Sequence, residues 1–527
     1  MKNRTLSAAK VLVTLFLAVS VLMPLCRLLM NIRGEDIISV IKSPQFIPML
    51  ANSIATTGIA TVVSVALAWS LAWCVNRTRI RFKSVFSVLF TLPMLIPSIS
   101  HGMGLVLLFG DNGLITNWFG INIGLYGYKG IIMGAVLYSF PVAFLMLNDV
   151  FQYEDYTVYE AAQVLGLSRF QQFCTITIPN MKKSLISVIF AVFTMVFTDY
   201  GVPVVVGGKV TTMPVYMYKE VIGLLDFSKG AIIGVILLIP AIIAFLIDLK
   251  SDENGNASTV TKPYQVSKNR MRDRFAYLFC GLTIFLVSVP LMAFAYLSVV
   301  RQYPIDMGLS LANIKDAFQL GVGNYLLNSI TIALVTSLVG LAVIYLTAYL
   351  TARSQKSFTT LTLHLISMVS LAIPGIVLGL AYVLFFNGSW IYGTFIMLIL
   401  VNMIHFFASP YLIAYNSLSK FNEKLEDVAD VMGISRVRML LDVYIPCTRE
   451  SMVEMFSYLF VNSMVTISAV SFLANFKNMP LALMIPQFDS QSLIEATAFI
   501  SIIILAVNGI LKVSIYFIKR YIRKQGI

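Results

Sequence analysis

The chain has 527 residues, of which 58% are hydrophobic and 12% are charged, and its formal net charge is +13. Soluble domains average roughly half apolar and about a quarter charged residues, so this composition excludes a soluble protein and predicts an integral membrane protein. The positive charges stand in short segments between long apolar runs, which excludes a continuous nucleic-acid-binding surface and makes them a signal of topology.

Apolar runs long enough to cross a bilayer recur along the whole chain. A spanning helix needs about 20 residues, and the sequence holds about twelve such runs. We place them near 10–30, 54–75, 84–109, 130–150, 184–203, 229–249, 275–299, 328–350, 359–386, 391–416, 451–474 and 493–518. No small-residue cleavage site follows the first run, so we expect it to be retained as a span.

Lysines and arginines mark one side of these predicted spans. Arg77, Arg79, Arg81 and Lys83 cluster between the second and third runs, and another basic cluster covers residues 519–524. Because positive charges are retained in the cytoplasm, the bias predicts an even number of spans with cytoplasmic N- and C-termini. The sequence therefore predicts a multi-pass protein of the plasma or inner membrane, in contact with membrane lipid.

A polar segment, residues 151–183, separates the fourth and fifth runs and is called the first loop below. Apolar residues at helical spacing predict a short amphipathic helix here: Val158, Ala161, Ala162 and Leu165. Gly166 permits the positive φ of a sharp turn after it. Ser168 and Gln171 have the spacing of a capping box, so we expect a second helix to begin at once.

An acidic residue lies at the end of the fifth run. Asp199 stands in the segment 197–203, and charges near spans are functional candidates because their burial in lipid is costly. The alternative is a solvated acid at the external end of the span. Thr466 holds the corresponding position later in the chain, so the acid occurs once. We take Asp199, Tyr200 and Thr466 as candidate residues of a translocation path.

The chain divides at a polar and basic stretch, residues 250–274, which lacks apolar periodicity and predicts a cytoplasmic linker. It separates a first half, residues 1–249, from a second half, residues 275–527. We expect six spans in each half.

The second half repeats the landmarks of the first. Asn52-Ser53 matches Asn328-Ser329, Arg77 matches Arg353, Pro97 and Gly102 match Pro374 and Gly379, and Pro141 matches Pro410. Residues 417–450, the second loop, repeat the glycine turn at Gly433, which lies 267 positions after Gly166 (433 − 166). Ser435 repeats the serine cap, but Arg438 replaces the glutamine. An all-α fold of two parallel six-helix repeats follows.

The two loops resemble the EAA loop in the permease subunits of ATP-binding-cassette importers. The first reads Glu160-Ala161-Ala162 with Gly166, and the second reads Asp427-Val428-Ala429 with Gly433. The second copy departs from the pattern, because its acid is shorter and a valine replaces the first alanine. The resemblance covers both halves and nearly the whole chain.

The resemblance implies a non-catalytic membrane subunit that couples transport to partner proteins. Its expected partners are two ATP-binding cassette ATPase subunits and an extracytoplasmic solute-binding protein. The residues implied to couple to the ATPases are Glu160, Ala161, Ala162, Gly166 and Ser168 in the first loop and Asp427, Ala429, Gly433 and Ser435 in the second. The sequence has no phosphate-binding loop of its own, so the ATPases must be separate chains. No cofactor, resident metal or nucleic-acid partner is expected.

The substrate remains open between several small solutes. The segments 197–208 and 229–241 resemble fused permeases for 2-aminoethylphosphonate and the related ferric-iron permeases. A permease for another solute, such as thiamine, is an alternative. A secondary transporter with two parallel repeats is the main rival from another class, although such proteins usually carry ion-coupling charges at the bilayer midplane and this chain has few. A membrane-embedded enzyme would need a catalytic constellation, which the sequence lacks.

Overall fold

The computed structural model describes residues 2–252, 262, 264–355, 357–422 and 424–524. Over the first of these stretches the chain is almost entirely helical. The helices are α1 (Lys2–Leu17), α2 (Met23–Met30), α3 (Gly34–Lys42), α4 (Phe46–Arg77), α5 (Lys83–Thr91), α6 (Ser98–Phe109), α7 (Leu114–Phe119), α8 (Tyr128–Gln152), α9 (Thr157–Val164), α10 (Arg169–Gln172), α11 (Ile178–Phe197), α12 (Gly201–Val206), α13 (Met213–Tyr218) and α14 (Phe227–Asp252). Of the predicted linker, residues 253–261 and 263 lie outside the described residues.

The later part of the chain is also helical, with one antiparallel hairpin of strands β1 (Val300–Gln302) and β2 (Asp306–Leu309) among its described residues. The helices are α15 (Arg270–Leu297), α16 (Ala312–Gln319), α17 (Val322–Ala352), α18 (Phe358–Val369), α19 (Gly375–Phe386), α20 (Phe395–His405), α21 (Ala408–Ser419), α22 (Leu425–Val431), α23 (Arg436–Met439), α24 (Ile445–Cys447), α25 (Arg449–Val465), α26 (Met484–Ser490) and α27 (Ile494–Lys524). Short π-helical turns connect α1 to α2 (Ala18–Leu22), α10 to α11 (Phe173–Thr177) and α23 to α24 (Leu440–Tyr444).

Eight of the described helical segments are long and apolar enough to cross a membrane, or up to eleven if each of three bent pairs counts as one span. Eleven of the predicted spans therefore have a counterpart. The predicted span 451–474 corresponds to α25, which has only 17 residues and ends where Thr466 takes an extended conformation. The total of twelve stays a prediction.

Proline breaks two of the bent spans at matched places. The segments Lys83–Leu95 and Ser98–Phe119 are bent by 96° at their break, and Phe358–Ala372 and Gly375–Phe386 by 112°. Pro97 and Pro374 stand directly before α6 and α19 in an extended conformation. Because proline has no N–H and disfavours helix in the residue before it, the chain stops one helix and starts another. The third bent pair, α20 and α21, turns by 54° near Phe406.

The described residues form two compact units. The first unit comprises Ile41–Tyr216 and Ile239–Leu311. At its centre α4 packs against α8 along two buried rows of small side chains: Ala60, Ser64, Ala68 and Ala72 on α4, and Ala135, Ser139 and Ala143 on α8. Four-residue spacing places each row on one helix face, so the two backbones approach closely. The Ser64 and Ser139 hydroxyls, 2.8 Å apart, form a hydrogen bond across this contact.

The second unit comprises Met1–Val40, Met217–Leu238 and Ala312–Ile527. Helix α17 packs here against α20, α21 and α25, and α2 packs against α19. The Tyr382 hydroxyl donates a hydrogen bond of 2.7 Å to the backbone carbonyl of Ser20. Ser20 lies in the π-helical turn between α1 and α2, where the regular helix ladder is interrupted and a carbonyl is free to accept a side-chain donor.

The same tie holds the segment after the fifth predicted span in the first unit and the segment after the eleventh predicted span in the second. In the first unit Asn52 donates to the Thr211 carbonyl at 3.1 Å, and the Ser53 hydroxyl accepts from the Met213 amide at 2.8 Å. In the second unit Asn328 donates to the Met479 carbonyl at 3.2 Å, and the Ser329 hydroxyl accepts from the Leu481 amide at 2.7 Å. The Asn-Ser landmarks of the sequence therefore perform one structural task twice.

Two matched glycines permit a second repeated contact. A Cβ atom on Gly102 would lie 3.2 Å from the Val202 carbonyl oxygen, and one on Gly379 would lie 2.7 Å from the Ala469 carbonyl oxygen. Val202 and Ala469 are themselves 267 positions apart (469 − 202). Each broken span thus approaches the backbone just beyond α11 or α25, which a larger side chain would prevent.

The compact units differ from the halves predicted at residues 1–249 and 275–527. Helices α1 and α2 belong to the second unit, and α15 belongs to the first, where Pro290 lies against Gly104 of α6. The repeated landmarks begin after the first span of each half, so they carried no information on where that span packs. The half boundaries stay a prediction about the sequence repeat.

Candidate functional site

The first loop has the helix, turn and cap that its sequence predicts. Helix α9 ends at Val164, and Gly166 then has a φ of +76°. The Ser168 hydroxyl accepts from the Gln171 amide at 3.3 Å, and the Gln171 side chain accepts from the Ser168 amide at 2.8 Å. This capping box is confirmed, and it starts α10 immediately after the turn.

The second loop repeats this geometry but lacks one hydrogen bond of the capping box. Helix α22 ends at Val431, Gly433 has a φ of +71°, and the Ser435 hydroxyl accepts from the Arg438 amide at 3.3 Å. Arginine at the third helical position cannot return a hydrogen bond to the cap amide, so only the serine half of the box is present, as predicted.

Each loop exposes three apolar side chains beside its glycine. The exposed fractions are Val164 89%, Leu165 78% and Phe170 75% in the first loop, and Val431 90%, Met432 68% and Val437 66% in the second. Every pair is separated by 267 positions: 431 − 164, 432 − 165 and 437 − 170. Contiguous exposed apolar side chains mark interaction surfaces. We call these the first and second apolar triplets.

A buried arginine ties the first loop to the end of α4. The Arg77 guanidinium forms an ion pair with the Glu154 carboxylate, and both side chains are buried. The Tyr159 hydroxyl on α9 donates to the same carboxylate, and it lies 2.8 Å from the Thr177 hydroxyl. Burial, together with the Glu154 carboxylate, raises the pKa of Tyr159. The phenol therefore stays protonated and acts as a hydrogen-bond donor to Glu154.

A second buried arginine ties the second loop to the end of α17. Arg353 donates from Nε to the Glu426 carboxylate at 2.7 Å and from its two Nη atoms to the carbonyls of Phe421 and Asn422 at 2.9 and 2.8 Å. The Tyr444 hydroxyl donates to Glu426 at 2.5 Å. Removing the Glu426 carboxylate would leave the charge of Arg353 buried without an acidic partner.

The two ion-pair clusters use the same residue types at different positions. Tyr159 corresponds to Glu426 and Thr177 corresponds to Tyr444, because 426 − 159 and 444 − 177 both equal 267. The tyrosine of the first loop thus stands where the second loop has its acid, and the acid of the first loop comes from Glu154, before α9. Sequence comparison missed these clusters because no acid or tyrosine aligns with its counterpart.

The predicted coupling residues divide into buried and exposed members. Ala162 of α9 and Ala429 of α22 are buried, whereas Ala161 and Asp427 are exposed. Glu160 is partly exposed and pairs with Lys262. Asp427 forms no ion pair among the described residues. The two motif acids therefore occupy different electrostatic surroundings.

The predicted path residues lie where α11 and α25 end. In the first unit the Asp199 carboxylate accepts from the amides of Gly201 and Val202 at 3.2 and 3.0 Å, so it caps α12. It also borders a cavity of about 10 Å³, whose polar lining includes Thr212. Tyr200 is buried. Thr466 belongs to the second unit, where it follows the last residue of α25.

Comparison with known proteins places this geometry among membrane transport components. The model of a family described as "Binding-protein-dependent transport system inner membrane component" matches residues 60–250 and 344–524. Each match contains one loop and one buried arginine cluster. The matched ranges thus cover well over half of the chain.

Similar curated proteins are transport permeases. The chain is 24% identical over 462 residues to the putative ferric transport system permease protein FbpB 1 of Haemophilus influenzae, covering 83% of this chain and 72% of that one. It is 24% identical to the ferric transport system permease protein FbpB of Actinobacillus pleuropneumoniae, covering 83% of this chain and 66% of that one. A shorter match, 25% identical over 202 residues, relates 37% of the chain to 73% of the sulfate transport system permease protein CysT of Escherichia coli.

Proposed function

The chain belongs to the family of binding-protein-dependent transport system inner membrane components, and we propose that its two loops dock two separate ATPase subunits of an ATP-binding-cassette importer. It is a multi-pass protein of the cell membrane and forms the permease part of the transporter. An extracytoplasmic solute-binding protein would deliver the substrate on the opposite side.

The two apolar triplets carry this proposal. In both loops three exposed apolar side chains flank a glycine, and each member of one triplet lies 267 positions from its counterpart. A helix that merely faced lipid would not need this repeated pattern. Full burial of a valine, leucine, phenylalanine or methionine side chain stabilises a contact by about 1.5–3 kcal/mol. Each triplet is therefore a compact anchor for a partner that has an apolar groove.

The buried arginine clusters would transmit movement from the loops to the spans. Arg77 and Arg353 stand at the ends of the long helices α4 and α17, and each is hydrogen-bonded to a carboxylate next to or within its loop. A buried pair of this kind is costly to separate, because both charges would lose their partner. A partner that shifts a loop would therefore pull on the helix to which it is tied.

We place ferric iron first among the substrate classes, because the similar full-length permeases carry that name. The alternative of 2-aminoethylphosphonate rests on the resemblance of residues 197–208 and 229–241, which the ferric-iron permeases share. Both cargoes offer a positive charge, which the Asp199 carboxylate would attract by about 1–4 kcal/mol at 4 Å if the path opens to solvent beside it. Binding of each solute to the companion solute-binding protein, measured by calorimetry, separates the two.

The docking proposal is tested by charged substitutions in both triplets. Leu165→Glu combined with Met432→Glu should lower the amount of ATPase that co-purifies from native membranes by about tenfold or more, because two apolar anchors are lost. Leu309→Glu is the matched control, since Leu309 is similarly exposed but lies on the β2 hairpin. Equal ATPase recovery from the double variant, the control and the wild type would remove the loops as docking sites.

A further inference from the structure

The last part of the linker packs onto the first loop. The Tyr156 amide donates to the Lys262 carbonyl at 2.9 Å, and the Lys262 amide donates to the Asp155 carboxylate at 3.3 Å. Arg79, just after α4, donates from Nε to the Val266 carbonyl at 2.9 Å. These bonds hold the linker backbone against both the start of α9 and the end of α4.

Two linker side chains complete the surroundings of the loop. The Tyr264 ring lies 5.1 Å from the rings of both Tyr156 and Tyr159, and the Arg77 guanidinium stands 3.5 Å above it. A cation over an aromatic face is attracted by about 0.5–2 kcal/mol. Lys262 forms an ion pair with Glu160, the acid of the loop motif, with both side chains about two-fifths exposed. Tyr264 thus covers the buried cluster, and Lys262 neutralises the acid at its rim.

The second loop obtains similar features without the linker, from its own residues and from α17. Arg436 of α23 pairs with Asp430 at 2.8 Å and stands 4.0 Å from Glu426. Tyr349 of α17 packs on Tyr444, with ring centroids 5.6 Å apart. Arg169, which corresponds to Arg436 (436 − 169 is 267), forms no ion pair among the described residues of the first loop.

We propose that Lys262 and residues 264–266 of the linker are a third component of the first loop, and that the two docking surfaces of this chain are consequently inequivalent. The inference rests on the docking role proposed above. A partner ATPase at the first loop meets a motif acid already paired with Lys262, whereas a partner at the second loop meets Asp427, which has no ion-pair partner in the part of the chain that the structure describes. The linker therefore orders one docking site as well as joining the two halves.

The first test measures hydrogen exchange in the purified full-length chain, without any ATPase. Tyr264→Ala should speed amide exchange in α9 by about fivefold or more and leave α22 unchanged, because only the first loop loses a supporting contact. Lys262→Glu should do the same, and Lys262→Glu with Glu160→Lys should restore the wild-type rate by rebuilding the pair in reverse. Lys268→Glu, an exposed residue further along the same linker, is the control. Wild-type exchange in α9 of the Tyr264→Ala and Lys262→Glu variants would overturn the proposal.

The second test asks whether the docking sites differ. Met432→Glu alone leaves only the first loop intact, and Leu165→Glu alone leaves only the second loop intact. Lys262→Glu is then added to each of these variants. Lys262→Glu should weaken ATPase recovery when only the first loop is intact and have no effect when only the second is intact. Equal effects in both backgrounds would overturn the inequivalence. Failure of the wild-type chain to recover any ATPase would instead contradict the docking function. The hydrogen-exchange result would still report whether the linker supports the first loop.

Discussion

At the scale of single residues, the buried ion-pair clusters show how a contact can persist while its residues change places. Arg77 and Arg353 are matched in sequence, but their acidic partners Glu154 and Glu426 are not. A carboxylate reaches the guanidinium from the chain before α9 in one loop and from α22 in the other. What the fold requires is one buried acid and one phenolic donor near each arginine, since an unpaired buried charge is costly.

This exchange of places predicts a rescue. Glu154→Ala leaves Arg77 buried without its acid and should destabilise the first unit by about 3–5 kcal/mol. Adding Tyr159→Glu and Thr177→Tyr installs the arrangement of the second loop and should recover at least part of the lost stability. Thermal unfolding in detergent measures both steps, and Tyr159→Phe, which removes only a hydroxyl, is the control for a smaller loss. A triple variant no more stable than Glu154→Ala would show that the two clusters are not interchangeable.

At the scale of elements, each loop is a rigid sequence of helix, glycine turn and capped helix. Gly166 and Gly433 both have positive φ, and no atom lies within 4 Å of a Cβ built on either of them. The requirement for glycine is therefore conformational and does not come from crowding. The loops differ in their caps, because Gln171 closes the first one and Arg438 leaves the second one half closed.

The turn glycines give the prediction at this scale. Gly166→Val with Gly433→Val should abolish uptake and ATPase recovery while the protein stays in the membrane, because the left-handed conformation costs an ordinary residue about 1–2 kcal/mol and a β-branched one more. Gly281→Val is the matched control, since Gly281 lies in α15 at negative φ with equally open space. If the double variant showed the same uptake and ATPase recovery as the control, the glycine turns would not be required for coupling to the ATPases.

At the scale of the whole molecule, the chain carries two copies of one design. The family match occurs twice, and the Asn-Ser ties, the proline breaks, the close-packed glycines and the apolar triplets all recur. Both predicted docking sites are thus present in a single polypeptide. Two separate permease chains would be redundant in such a transporter.

The duplication predicts the stoichiometry of the assembled transporter. We expect one copy of this chain with two ATPase subunits, because each loop offers one apolar anchor. Native mass spectrometry of the purified complex measures this ratio directly, and the Leu165→Glu variant should shift the population toward one ATPase per chain. A complex with two permease chains would contradict the arrangement.

The sequence alone was sufficient for features set by local composition and spacing. It predicted a helical membrane protein, most span positions, the repeated glycine turns and the serine caps, because helix periodicity and positive φ depend on neighbouring residues. It also predicted the family through the loop motif. Even the missing half of the second capping box followed from a single residue, Arg438.

Only the tertiary structure decided which distant residues meet. The partners of Arg77 and Arg353 lie 77 and 73 positions away, α1 and α2 pack in a unit that includes Tyr382, and Lys262 reaches Glu160 from the linker. No local pattern encodes these pairings. A buried site requires that its charges and hydrogen-bonding groups find partners, but any segment of the chain that reaches the site can supply them. The repeated sequence motif determines the local structure of the two loops. The tertiary structure determines which distant residues contact and stabilise each loop.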